Sequence, residues 1–142
     1  MKRLFFTEDR VIFGDTDAMG VAYHANYLRW FERGRTELLR EIDFAYTDLE
    51  KYPVWLPLTH VTMEYKKPAR YDDPIVICTQ IVELGFVSML LAYEITHKET
   101  GELLVTGTTR HGITDDKLKP IKLKKVYPEF YAILKDISAD CD

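Results

Sequence analysis

One long stretch of helical periodicity governs what this chain can fold into. From about His24 to Ile42, the residues Tyr27, Phe31, Gly34, Leu38 and Ile42 recur at spacings of four, three, four and four. That spacing draws one face of a helix. Leu28 and Leu39 widen the face, while Arg29, Arg33, Glu37, Arg40 and Glu41 supply most of the polar side. Asn26 stands where an N-cap is expected. A mid-helix glycine costs roughly 1 kcal/mol relative to alanine. Gly34 sits on the apolar face, which predicts close approach to another backbone, a sheet. A helix with one wide apolar face must bury it against such a partner.

The rest of the chain supplies that partner. About Glu8 to Phe13 mixes apolar and charged residues, as an edge strand does. After a loop around Tyr46 to Pro53, Val61, Met63 and Tyr65 alternate with His60, Thr62 and Glu64. Pro68, Asp72 and Asp73 mark a break, and Ile75, Ile77 and Ile81 share one face of the next strand. A turn near Gly85 leads to Met89, Leu91, Tyr93 and Ile95, and Glu99-Thr100-Gly101 reads as a hairpin turn. Leu103, Val105 and Ile113 lie on one face of a last long strand. Tyr127 to Leu134 reads as a short terminal helix with Pro128 in its first turn. Short connections make successive strands antiparallel neighbours. The expected class is α+β: an antiparallel five-stranded sheet wrapped around one long helix, as a single domain over residues 1–142.

Composition excludes several function classes. Hydrophobic residues make up 46% and charged residues 30% of the 142, which is ordinary for a globular domain and far from disorder. A net charge of −4 argues against general nucleic-acid binding. No apolar run approaches the ~18 residues that a membrane span needs, and the N-terminal MKRLFFTEDR breaks into charges too early for a signal peptide. Cys78 and Cys141 have no disulfide-framework spacing, which fits a reducing, cytoplasmic setting. Lys117, Lys119, Lys122, Lys124 and Lys125 form a local basic stretch whose plain reading is a solvated loop.

The segment before the helix carries the chemistry. Asp15, Asp17 and Gly20 open a D-x-D-x-x-G pattern that invites a calcium reading. An EF-hand loop needs an oxygen ligand at its fifth position and Glu at its twelfth. Met19 and Asn26 stand there instead. His24, His60, His97 and His111 also lack metal-ligand spacing, so no metal is expected. The two aspartates could simply shape a turn, as aspartates often do. Their position gives them more scope, because helix starts present free N–H groups and the positive dipole end. A carboxylate beside such donors is a base or nucleophile next to an oxyanion site.

The run RVIFGDTDAMGVAYHANYLRWFERGRTELLR, from Arg10 to Arg40, closely resembles the signature of hotdog-fold thioesterases of the 4-hydroxybenzoyl-CoA thioesterase group. The bacterial short-chain acyl-CoA thioesterase branch associated with the Tol–Pal locus looks nearest. The likeness continues through LPLTHVTMEYKKPARYDDP, from Leu56 to Pro74, and beyond that is one of pattern.

The resemblance implies a hotdog fold and hydrolysis of an acyl-CoA to free acid and CoA, with no cofactor. It implies that Asp17 is the catalytic carboxylate, acting as nucleophile or general base. It also implies that N–H groups at the helix start, those of His24 and Tyr23, face the thioester carbonyl. A carboxylate is ionised at neutral pH unless strongly buried, which suits both roles. The His24 side chain either orients substrate, water or Asp17, or leaves the work to its backbone. Tyr23 and Tyr27 are acyl-pocket candidates that could equally pack. Glu32 is a secondary candidate whose plain reading is an exposed partner of Arg29 or Arg35. Lys66, Lys67 and Arg70 are candidates for the CoA phosphates, and Ser88 for the pantetheine arm. Some relatives carry a basic cluster at the turn before Ser88, where this chain has Gly85, Phe86 and Val87.

The family also implies a homodimer or homotetramer, joined edge to edge through its sheets, with active sites between subunits. Either CoA or an acyl carrier protein would present the substrate. Two rivals share the fold: a hydroxyacyl dehydratase and a non-catalytic acyl-CoA-binding module.

Overall fold

The computed structural model describes residues 2–44 and 54–139. The expected loop from Tyr46 to Pro53, and Cys141, lie outside them. Strands β1 (Phe5–Arg10), β2 (Leu58–Tyr65), β3 (Pro74–Leu84), β4 (Ser88–His97) and β5 (Leu103–Gly112) form one antiparallel sheet in the order β1-β3-β4-β5-β2. Helix α1 (Tyr27–Glu41) crosses one face of it. A single turn, α2 (Leu123–Val126), and the terminal helix α3 (Pro128–Ile137) follow the last strand.

The first strand lies earlier than the sequence predicts. It spans Phe5–Arg10, and Phe13–Asp15 form a 3-10 turn. Alternation is weak in a short, charged edge strand, so its ends are poorly marked. Helix α1 is also entered through a 3-10 turn, His24–Asn26. Asn26 holds the N-cap position, but its side chain makes no capping bond, and its Nδ2 instead donates to the Asp15 carbonyl at 2.7 Å.

Trp30, Phe31, Leu38 and Leu39 bury the apolar face of α1, whereas Leu28 is exposed. Every second residue of β3 from Ile75 to Ile81 and of β4 from Met89 to Ile95 points into the same core, including Ile77, Leu91 and Tyr93. The Phe31 ring stacks on Tyr93 at 4.3 Å between centroids. Full burial of such a ring stabilises by roughly 1.5–3 kcal/mol.

Two glycines set how closely the layers meet. A Cβ on Gly34 would collide with the Thr79 hydroxyl and come within 2.9 Å of Ile77 Cγ2. The close approach is therefore to strand side chains rather than to backbone. A Cβ on Gly107 of β5 would lie 2.6 Å from the Phe31 ring. On β5 the buried positions are Leu104, Val105, Thr109 and His111, with Leu103 only half-buried. The terminal helix buries Phe130, Leu134 and Ile137, one face at helical spacing, with Pro128 in its first turn.

The two sheet edges differ. β1 carries Glu8, Asp9 and Arg10 along its exposed side, a charge pattern that discourages strand addition. β2 reads LTHVTMEY, is exposed along nearly all its length and, among the described residues, pairs only with β5.

Candidate active site

Between β1 and α1 the chain makes a small hairpin with Asp17–Gly20 at its tip. Thr16 bridges Ala22, Asp17 N–H donates to Val21 O at 2.9 Å, and Gly20 N–H donates to Asp17 O at 3.0 Å. Gly20 has φ +78°, a left-handed conformation in which glycine avoids the Cβ penalty. Asp17 Oδ1 accepts the Met19 N–H at 2.8 Å. Its Oδ2 has no protein donor among the described residues.

Asp15 anchors this hairpin. Its carboxylate is buried, accepting Ile12 N–H at 3.0 Å and an Arg29 guanidinium N–H at 2.5 Å. Its carbonyl accepts the Tyr23 N–H at 2.8 Å and Asn26 Nδ2. One residue thus ties the loop after β1 to the first turns of the helix.

The hairpin is fastened on its other side to the segment after β2. Ala22 N–H donates to Ala69 O at 2.8 Å, and Val21 bridges Arg70. The buried Tyr27 accepts Ala69 N–H through its Oη at 3.2 Å, and burial pushes that phenol above its ordinary pKa. Tyr65 Oη donates to the His24 carbonyl at 3.0 Å. These ties enclose a cleft of about 300 Å³ lined by Asp17, His24, Tyr27, Tyr65, Lys66 and Lys67, with Met19, Val21, Ala22 and Pro68 between them.

The first-turn donors are specific. Tyr23 N–H is taken by the Asp15 carbonyl, so it is not an oxyanion donor as the resemblance implied. The N–H groups of His24 and Ala25 have no acceptor among the described residues, as expected at a helix start. The His24 ring is exposed, lies 4.2 Å from the Tyr23 ring and makes no bond to Asp17. Tyr23 itself is exposed and does not line the cleft.

The remaining candidates divide sharply. Lys66 pairs with Glu64 at 2.7 Å and Lys67 with Glu102 at 2.5 Å, and both ion pairs are exposed. The Arg70 guanidinium has no partner among the described residues and lines an adjoining depression with Lys67, His97 and Glu102. Glu32 is exposed on α1 beside Arg29 and Arg33, outside the cleft. It bonds neither Arg29, which serves Asp15, nor Arg35, which donates to Tyr93 Oη at 3.2 Å. Ser88 pairs with Gly112, while Tyr65 pairs with Val105 on the same strand. Seven residues of β5 put Ser88 roughly 23 Å from the cleft at the ~3.3 Å rise of a strand. Within one chain it cannot meet a thioester at Asp17. Tyr65 was missed among the sequence candidates, although it is the last alternating residue of β2 and directly precedes Lys66. No three His, Cys, Asp or Glu side chains come together as a metal site among the described residues.

An antiparallel five-stranded sheet wrapped on one long helix is the hotdog arrangement, and Asp17 and the open N–H groups at the helix start lie together beside it. The chain belongs to the thioesterase-like superfamily, whose family model matches residues 11–134. It is 37% identical over 125 residues to the Bacillus subtilis protein YneP, covering 87% of this chain and 90% of that one. It is 36% identical over 128 residues to the Escherichia coli acyl-CoA thioester hydrolase YbgC, covering 89% and 96%. The structure matches the DHNA-CoA thioesterase of Staphylococcus aureus with a TM-score of 0.89 and 32% identity, covering 94% and 90%. The hotdog fold expected from the resemblance is therefore present.

Proposed function

We propose that the protein hydrolyses acyl-CoA thioesters, with Asp17 as the reacting carboxylate and the His24 N–H as an oxyanion donor. One observation carries the reading: Asp17, with an unoccupied Oδ2, lines the same cleft as a helix-start residue whose N–H is unpaired. Attack on a thioester carbonyl places negative charge on its oxygen, and fixed N–H donors stabilise that charge without reorganising. Ala25, rather than Tyr23, supplies a second free donor.

Two routes fit this geometry. In one, Asp17 attacks the carbonyl carbon, CoA leaves as thiolate, and water then cleaves the mixed anhydride. In the other, Asp17 takes a proton from the water that attacks. Heavy oxygen in the Asp17 carboxyl after a single turnover in ¹⁸O-water identifies the first route with water adding at the aspartyl carbon, because general-base attack, like water attack at the acyl carbon, labels only the product acid.

Arg70 is better placed than Lys66 or Lys67 to take a CoA phosphate, since neither lysine is free of a carboxylate. The open β2 edge supports pairing of two copies through their sheets. Antiparallel pairing there sets one copy's Tyr65 end beside the other's Leu58 end, so a partner's Ser88 end lies nearer the cleft than the chain's own. The reading includes a cytoplasmic setting and either CoA or an acyl carrier protein as the presenting group.

Release of free thiol from a panel of acyl-CoAs tests the proposal. Hydrolysis of one or more members supports it. Double-bond formation without thiol release, or binding with no turnover across the panel, overturns it.

A further inference from the structure

Five lysines crowd into nine residues at the end of the sheet away from the cleft: Lys117, Lys119, Lys122, Lys124 and Lys125. All five are exposed, and none makes an ion pair among the described residues. Lys66, Lys67 and Lys98, by contrast, each hold a carboxylate. Five exposed lysines thus lie together at one end of a chain whose net charge is −4.

The same end exposes large apolar side chains. Phe86 is 67% exposed, Leu118 58% and Val126 47%. They are neighbours of the lysines, because Leu123 N–H donates to Phe86 O and Ile113 N–H to Val87 O, which fastens the β3–β4 turn to the lysine segment.

Leu118 is unfavourable twice over. It is solvent-exposed, and it is held at φ +62°, a conformation that disfavours L side chains. The turn presenting it is rigid. Asp115 Oδ1 accepts the N–H groups of Lys117 and Lys119, Asp115 O accepts Leu118 N–H, and Asp115 N–H donates to Lys119 O. The chain holds an apolar wedge outward between two lysines.

We propose that this end of the molecule docks on an anionic lipid bilayer. Lysines flanking protruding apolar side chains fit the headgroup boundary, where the cations meet anionic lipids and the wedge enters the acyl region. A second copy of the same patch is a poor occupant, because it would bring ten exposed lysines together. The docking surface is separate from the Asp17 cleft, so it does not depend on the catalytic reading.

Sedimentation of the full chain with vesicles tests it. One set is phosphatidylcholine alone, the other an equal mixture with phosphatidylglycerol. Binding is expected to the mixed vesicles only and to weaken as salt rises. Each lysine contributes roughly fivefold to partition, so Lys122→Gln, Lys124→Gln and Lys125→Gln together are expected to lower it on the order of a hundredfold. Leu118→Asn is expected to lower partition about tenfold while leaving Tm unchanged or raised, since asparagine tolerates the left-handed conformation. Thiol release from a soluble short-chain acyl-CoA is expected to be unaltered in both variants, so failure of docking is distinct from failure of catalysis. Absence of binding to the mixed vesicles, equal binding to both vesicle types, or variants that bind as well as the parent chain would overturn the proposal.

Discussion

Asp15 and Asp17 are the same residue type two positions apart, and the fold gives them opposite environments. Asp15 is 4% exposed and uses both carboxylate oxygens and its carbonyl to bind the chain on either side of it. Asp17 is half-exposed, spends one oxygen on its own turn and leaves the other open to the cleft. A buried, fully bonded carboxylate supports a shape, and an open one beside unpaired donors is the one we propose reacts. Spacing alone could not tell them apart, because the difference rests on Arg29, fourteen residues on, which reaches Asp15 from the helix.

The comparison can be broken in several ways. The largest expected effect is on turnover in Asp17→Asn, a fall on the order of 10²–10⁴ in kcat, with Tm nearly unchanged. Next is the oxyanion donor. His24 opens its 3-10 turn and follows an extended Tyr23 at φ −62° and ψ 134°, where proline fits without strain. His24→Pro removes the N–H and is expected to cost about 10²–10³ in kcat. His24→Ala, which keeps the N–H, is expected to cost less than about tenfold. Equal losses in the two variants would move the role from the backbone to the imidazole.

Stability carries the other half of the contrast. Asp15→Asn is expected to cost about 2 kcal/mol, or roughly 5 °C in Tm, since Arg29 and Ile12 lose a charged acceptor. Half-exposure of Arg29 keeps the figure modest. Its activity should fall with the fold rather than ahead of it, a pattern that thermal denaturation and kcat measured together will show.

A smaller effect sharpens the reading of the cations. Arg70→Ala is expected to raise KM about tenfold with kcat unchanged. Lys67→Ala, already committed to Glu102, is expected to raise KM less.

Acid sensitivity originates elsewhere in the molecule. His111 is buried on β5, with Nδ1 bonded to Leu56 O at 3.0 Å and Nε2 to Thr109 Oγ1 at 2.8 Å. Burial pushes its pKa down from 6.5 to about 4, opposed by the Leu56 carbonyl and aided by the Arg35 charge. The folded state therefore keeps the ring neutral where the unfolded chain would protonate it. Stability from this group is complete above about pH 6.5 and lost as pH falls toward 4, by roughly 3 kcal/mol in all. Denaturant midpoints across that range will show it.

Much of this was legible in the sequence. The helical face from Tyr27 to Leu39 and the alternation in β3 and β4 follow directly from burial periodicity, and Gly34 marked the close packing of helix on sheet. The Arg10–Arg40 likeness marked the family and its fold. What the sequence could not show depends on contacts between distant segments. Tyr23 N–H is consumed by a carbonyl eight residues earlier. Lys66 and Lys67 find Glu64 and Glu102 only through turn and strand geometry. Ser88 falls at the far end of a sheet whose strand order is not written in any local pattern.

The most direct test joins binding and chemistry in one sample of Asp17→Asn. Calorimetric titration with a non-hydrolysable thioether analogue of acyl-CoA reports binding, and thiol release from the matching thioester reports turnover. Affinity is expected within about twofold of the parent chain, since Asp17, as nucleophile or general base, makes its bond to the reacting atoms only on the way to the transition state, together with the loss of kcat given above. Turnover close to that of the parent chain would contradict that role.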